Sequence, residues 1–244
     1  VFVLTDIRQP LSPNAIRDLV SHFSDPTVGC VSGNLQLVGG TGAGAYWRYE
    51  NFIRMSEARF RGMIGVTGPL YAIRKSDFAE VPSDIILDDM FIPLRLRLRG
   101  KKLLLEERAV AEDPAFEADR EKGRKVRTLA GNFQLFALMP ELLSPVKNPI
   151  FFETTSHKLL RLAGPVLLGG LALGTVSGAF FGKSAIERAL MRALLAGELG
   201  AVGLALLGER AGPVGRLART FFVLNGAAVS GFLRYVGEGQ KVTW

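Results

Sequence analysis

Val1-Phe2-Val3-Leu4-Thr5-Asp6-Ile7-Arg8 opens the chain, and its first four residues are all apolar. An apolar run closed by Thr5 and a carboxylate reads as a buried strand whose end carries Asp6. Outward from it, Ser12-Pro13 caps and starts a helix over Asn14–Phe23, because proline suits the first helical turn, and Val28–Leu37 returns as a strand. Strand, turn, helix, strand is an α/β rhythm. Val1 is not an initiator methionine and the first strand has nothing before it, so we expect a piece of a longer protein.

Of 244 residues, 48% are hydrophobic and 22% charged, which excludes a disordered tail. One cysteine and two histidines exclude a disulfide scaffold and a His/Cys zinc module, so an essential metal would sit on carboxylates. The net charge of +7 is unevenly spread: residues 1–157 hold 20 Lys/Arg against 19 Asp/Glu, and residues 158–244 hold 10 against 4. The basic surplus therefore belongs to the most apolar part of the chain. Cations flanking apolar runs anchor membrane spans among headgroups, so the charge points to lipid rather than nucleic acid.

After a glycine-rich break at Gly39–Gly44, Tyr46–Phe60 shows apolar and aromatic residues at helical spacing among Arg48, Glu50, Arg54, Glu57 and Arg59. Ile64–Ile73 reads as a strand with a glycine turn inside it. Asp88–Arg99 reads as a helix opened by two carboxylates that complement its dipole, and Lys102–Leu105 as the next strand. Glu112–Arg127 is highly charged. Leu129–Leu143 is amphipathic, and either packs on the globular part or lies on a membrane with Phe133, Phe136, Leu138 and Met139 toward acyl chains. Leu162–Phe181 is long enough to span a bilayer without a charge. Ala193–Gly208, interrupted by Glu198, and Thr220–Leu233 are shorter and need flanking arginines to snorkel. Loops near Lys183–Arg192 and Glu209–Arg219 each carry three Lys/Arg, so they set no orientation.

Four places could carry chemistry. Asp6 ends a strand, where ligands of open α/β sheets gather, although a turn-capping aspartate looks the same. Asp88-Asp89 offers one carboxylate to cap the helix and another to accept a proton, or both simply complement the dipole. Gly123-Arg124-Lys125-Val126-Arg127 could face phosphates, with the guanidinium fork matching their oxygens, or be a solvated or lipid-facing basic run. Val66-Thr67-Gly68-Pro69-Leu70-Tyr71-Ala72-Ile73-Arg74 contains a glycine that lets a ligand approach the backbone, or a plain β-turn.

Thr5-Asp6, the Asp25-Pro26-x-Val28-Gly29-x-Val31-Ser32-Gly33 run, Tyr46-Trp47-Arg48-Tyr49-Glu50, Thr67–Arg74, Asp88-Asp89 and Arg124–Gln134 recur here in one order ahead of membrane helices. In that order the chain resembles the carboxyl-terminal two-thirds or so of a membrane-bound family 2 glycosyltransferase, similar to the cellulose and hyaluronan synthase type. The resemblance implies an α/β, partial GT-A domain over 1–128, a membrane-interface segment over 129–157 and two to three transmembrane helices over 158–244. It implies a cell-membrane protein with its catalytic domain cytoplasmic, no nucleic-acid partner, and membrane lipids around its helices.

By position the resemblance makes Asp6 the metal ligand, for Mg²⁺ or Mn²⁺, with Arg8 where a second aspartate would stand. Asp89 becomes the catalytic base and Asp88 its acceptor-side neighbour. Arg124 and Arg127, with Arg8, become donor-diphosphate ligands, in a segment where Arg124 replaces glutamine and Thr128 replaces tryptophan. Gly68 and Tyr71 line the acceptor side. The implied reaction is inverting transfer of a sugar from a nucleotide-sugar donor to a hydroxyl of a glycan or lipid-linked acceptor, with the piece itself expected to be inactive. The departures at Arg8, Arg124 and Thr128 leave open a non-catalytic, glycosyltransferase-like subunit or polysaccharide-binding scaffold.

Overall fold

The computed structural model describes residues 1–38, 44–114 and 118–237, so most of the glycine break at Gly39–Gly44 lies outside the described residues. Four strands, β1 (Phe2–Thr5), β2 (Val28–Val38), β3 (Leu70–Ile73) and β4 (Lys102–Pro114), form one mixed sheet in the order β1-β3-β2-β4. The short β3 runs antiparallel to both neighbours, while β2 and β4 are parallel. The α/β class expected from the opening rhythm is the one observed. β1 is an edge strand rather than a buried one, with Phe2 exposed.

Alternation decides what each face of the sheet meets. Val31 and Leu35 of β2, Leu70 and Ala72 of β3, and Ala109 and Ala111 of β4 pack with Ala15 and Leu19 of α1 (Ala15–Ser21). Cys30, Tyr71, Ile73 and Leu103 point the other way, onto Ile92 and Leu96 of α3 (Asp88–Leu98). Gly33 on β2 allows a close approach within the sheet, since a Cβ there would lie 2.7 Å from Leu70 Cδ2 and 2.8 Å from the Ala109 carbonyl oxygen.

Two expectations change. Ile64–Ile73 is a strand only over Leu70–Ile73, because Pro69 offers no amide to a ladder and the Leu70 amide turns back 3.0 Å to the Thr67 carbonyl. The charged run and the amphipathic run join as one helix, α4 (Ala118–Leu138), since Pro140, Pro145 and Pro149 all follow it. Of the four residues considered for acyl chains only Leu138 is exposed. Met139 is buried with Leu87, Phe91 and Leu135, Phe136 packs against that cluster, and Phe133 meets the Phe232 ring edge-on at 5.3 Å.

Beyond α4 the chain passes a short α5 (Phe151–Glu153) and a wide π-type turn over Thr154–Leu159 into α6 (Leu160–Phe181), α7 (Ala185–Leu207) and α8 (Gly212–Gly237). The last two are longer than their charge-free cores, at 23 and 26 residues, because helix continues through the flanking arginines. Phe151–Phe181 and Ala185–Gly237 are long and apolar enough to cross a membrane. α8 packs on α4 through Leu129, Ala227 and Ala228, joined by Leu162 of α6, which ties the apolar helices to the sheet domain. Glu198 on α7 accepts from the Thr175 hydroxyl of α6 at 2.9 Å, so this carboxylate faces a neighbouring helix.

Candidate active site

α2 (Gly44–Phe60) contributes one polar stripe, because Glu50, Arg54 and Glu57 recur at helical spacing and share a face. From the middle of that stripe Arg54 donates to the Thr67 hydroxyl at 2.5 Å. The Thr67 amide in turn donates to the buried Ser32 hydroxyl of β2 at 2.8 Å. The loop ahead of β3 is thus held from two sides.

That loop abuts the start of α3. The Val66 amide bonds the Asp89 carbonyl at 3.0 Å, and a Cβ on Gly68 would come 3.3 Å from Asp89 Oδ2. Asp89 is half-buried, and its carboxyl is pushed up from the ordinary 3.8 to about 6, first by burial and then by the charge of Asp88. The positive charges of Arg54, Lys158 and Arg127 pull the other way without reversing the shift. A carboxylate so placed exchanges protons near neutrality, as a general base must.

The third wall comes from the π-type turn before α6. There His157 Nδ1 lies 2.7 Å from Glu57 Oε1 and Nε2 lies 3.1 Å from Glu50 Oε2, while Arg161 also grips Glu50. Together α2, α3, α4 and this turn enclose a cavity of about 340 Å³. Asp89, Glu50, Glu57, Arg54, Arg124, Lys125, Lys158 and Arg161 supply its charges, and Leu35, Leu87, Leu129 and Leu224 its apolar wall. Five cations against three carboxylates, two of them already engaged by His157, suit an anionic ligand carrying a hydroxyl-bearing or apolar part. Cys30 is no nucleophile, since burial pushes its thiol up to about 12.

The expected residues divide. Asp89 and Arg124 line the cavity, Arg127 acts on Asp89 through its charge, and Gly68 adjoins the Asp89 carboxyl. Asp6 is not on the cavity wall; its amide donates to the Pro69 carbonyl at 3.1 Å, next to Gly68 in the chain. Tyr71 is not on the cavity wall: it is 2% exposed in the sheet–α3 core with its hydroxyl unpartnered, held protonated by burial and by Asp88. Asp88 likewise lies off the wall. The side chains of Tyr46 and Trp47 lie outside the described residues.

What sequence reasoning missed is the Glu50–Arg54–Glu57 stripe and its partners His157, Lys158 and Arg161. The stripe was visible as spacing within α2. Its pairing with a histidine a hundred residues later is tertiary and left no local signal.

A divalent cation does not fit the donors on view. Arg8 covers both Asp6 carboxylate oxygens, Nε at 3.3 Å from Oδ1 and Nη2 at 2.8 Å from Oδ2, and this holds the carboxyl below its usual range. Among the described residues no group of three or more His, Cys, Asp or Glu is placed to hold a metal.

No family model matches the chain, and no curated protein matches it. Among solved structures it is similar to the mannosyltransferase PcManGT from Pyrobaculum calidifontis in complex with GDP-Man and Mn²⁺, with a TM-score of 0.68 at 20% identity. The match covers 97% of this chain and 62% of that one, so the chain spans less than two thirds of that structure's length. The likeness is one of fold, an α/β arrangement with a mixed sheet that resembles GT-A and two long apolar helical runs after it.

Proposed function

We propose that the chain belongs to a glycosyltransferase that moves a sugar from a nucleotide-sugar to a hydroxyl of a glycan or lipid-linked acceptor, with inversion at the anomeric carbon. The observation that carries this reading is Asp89, a half-buried carboxylate with its acidity near 6 in a cation-lined cavity. Asp89 takes the acceptor hydroxyl proton as that oxygen attacks the anomeric carbon. The bond from that carbon to the diphosphate oxygen breaks, and the electron pair leaves with the diphosphate. Arg124 and Arg127 hold that leaving group by paired N–H donation and offset its charge. Gly68 borders the acceptor beside the Asp89 carboxyl, Asp88 acts on Asp89 through its charge from off the wall, and Arg8 stays paired with Asp6. No step is routed through a metal ion.

The apolar helices would seat this chemistry at a bilayer. α6, α7 and α8 present Leu173, Leu206 and Leu217 outward, each more than 70% exposed. We read residues 158–244 as multi-pass and the 1–128 part as lying on the cytoplasmic face, with 129–157 packed between them. One observation favours a second reading, a non-catalytic subunit: Asp6 is fully engaged by Arg8.

Membranes containing the full-length protein, incubated with a panel of labelled nucleotide-sugars, separate the two. The catalytic reading predicts transfer from at least one donor, lowered about a hundred- to ten-thousand-fold by Asp89→Asn. Transfer unchanged in Asp89→Asn would remove Asp89 as the base, and no transfer from any donor would leave the subunit reading.

A further inference from the structure

Both ring nitrogens of His157 face carboxylates in a site where His157 and Glu57 are each 8% exposed. Carboxylates only accept, and an imidazole with a single N–H can serve only one of them. Two nitrogen–oxygen contacts need two hydrogens, and a ring with both N–H groups between two carboxylates makes one net negative charge in the Glu50–His157–Glu57 triad. Arg54 sits one helical turn from each glutamate, feels Glu50, Glu57 and Asp89 alike, and is the side chain that holds Thr67.

We propose that His157 is a positioning residue: its two N–H groups occupy Glu50 and Glu57, and so leave the Arg54 guanidinium to the Thr67 loop and to Asp89. The inference rests on the reading of Asp89 as the base, and it makes the first turn of the apolar helices part of the base's surroundings. The charged groups around the triad are Arg54 on α2, Asp89 on α3, Arg124 and Lys125 on α4, and Lys158 and Arg161 on its own segment. Without His157 the two glutamates carry two negative charges within reach of Arg54 and draw it back along α2. Asp89 then loses its nearest compensating cation and becomes harder to ionise.

The test reads the Asp89 carboxyl directly and needs no turnover. Full-length protein labelled with carboxyl-¹³C aspartate is titrated by NMR, with Asp89→Asn identifying the resonance. We expect His157→Gln to move the midpoint to higher pH by about one unit. The double change His157→Gln with Glu57→Gln should return it, since removing one of the two negative charges brings the triad back to a net charge of one negative unit. Glu50→Gln, which leaves His157 in place, should move it to lower pH and decides the matter if His157→Gln does not fold. A midpoint that stays put in His157→Gln and in Glu50→Gln overturns the proposal. A protein that transfers no sugar but shows these shifts keeps the charge linkage while losing the catalytic reading.

Discussion

Asp89 is stabilised in its protonated form by the fold, and that has a cost at neutral pH. Its acidity is displaced from 3.8 to about 6, so between those pH values the folded protein holds a proton that the unfolded chain has released, and above them the fold bears the cost of the ionised carboxylate. The stabilisation is complete below 3.8 and fades as pH rises through about 6. We therefore expect Asp89→Asn to be more stable than wild type at pH 7 by about 1–3 kcal/mol, a gap that thermal unfolding should show closing as pH falls toward 4. Gly68 is the companion position. A Cβ 3.3 Å from Asp89 Oδ2 displaces the carboxyl by a few tenths of an ångström, so Gly68→Ala should lower kcat about ten- to a hundredfold with donor KM little changed. Asp89 was legible in the sequence as half of an acidic pair at a helix start, because the dipole and the strand-helix pattern act locally. Tyr71 lies off the cavity because the same alternation that makes β3 a strand turns its ring into the core.

At the scale of elements, the close approach of α4 and α8 is the joint between sheet domain and apolar helices. A Cβ on Gly231 would meet Leu129 Cβ at 2.8 Å and the Ala130 amide nitrogen at 3.1 Å, and backbone cannot swing aside as a side chain does. Gly231→Val should cost about 1–3 kcal/mol in stability, read as a lowered Tm of the detergent-solubilised protein. Most elements could be read from the chain, since β2, α1 and α3 each carry their own period and stop signals. The expected strand over Ile64–Ile73 is too long because Ile64 and Val66 are apolar for a different reason: Ile64 packs against α3 and α4, Val66 between α3 and the sheet, while the Val66 and Thr67 amides bond Asp89 and Ser32. The joint itself was illegible, because small residues on α8 declare close packing without naming the partner.

For the molecule as a whole, a sheet domain with nearly balanced charge is fastened to a basic, apolar helical region that leaves large hydrophobic side chains facing outward. The protein should accordingly stay with the membrane fraction through high-salt and alkaline washes that strip peripheral proteins, and recovery in the soluble wash would contradict the spanning assignment. The π-type turn at Thr154–Leu159 is where these two regions and the cavity meet, which places Asp89 within one domain's depth of the bilayer surface in the proposed arrangement. The central claim is that Asp89 must be ionised for sugar transfer. The pH dependence of kcat/KM for the full-length protein with its preferred nucleotide-sugar tests it most directly. The account predicts a rate that climbs with one-proton dependence through about pH 6 and levels above it, with that limb absent from the residual activity of Asp89→Asn; the same limb persisting in Asp89→Asn would contradict it.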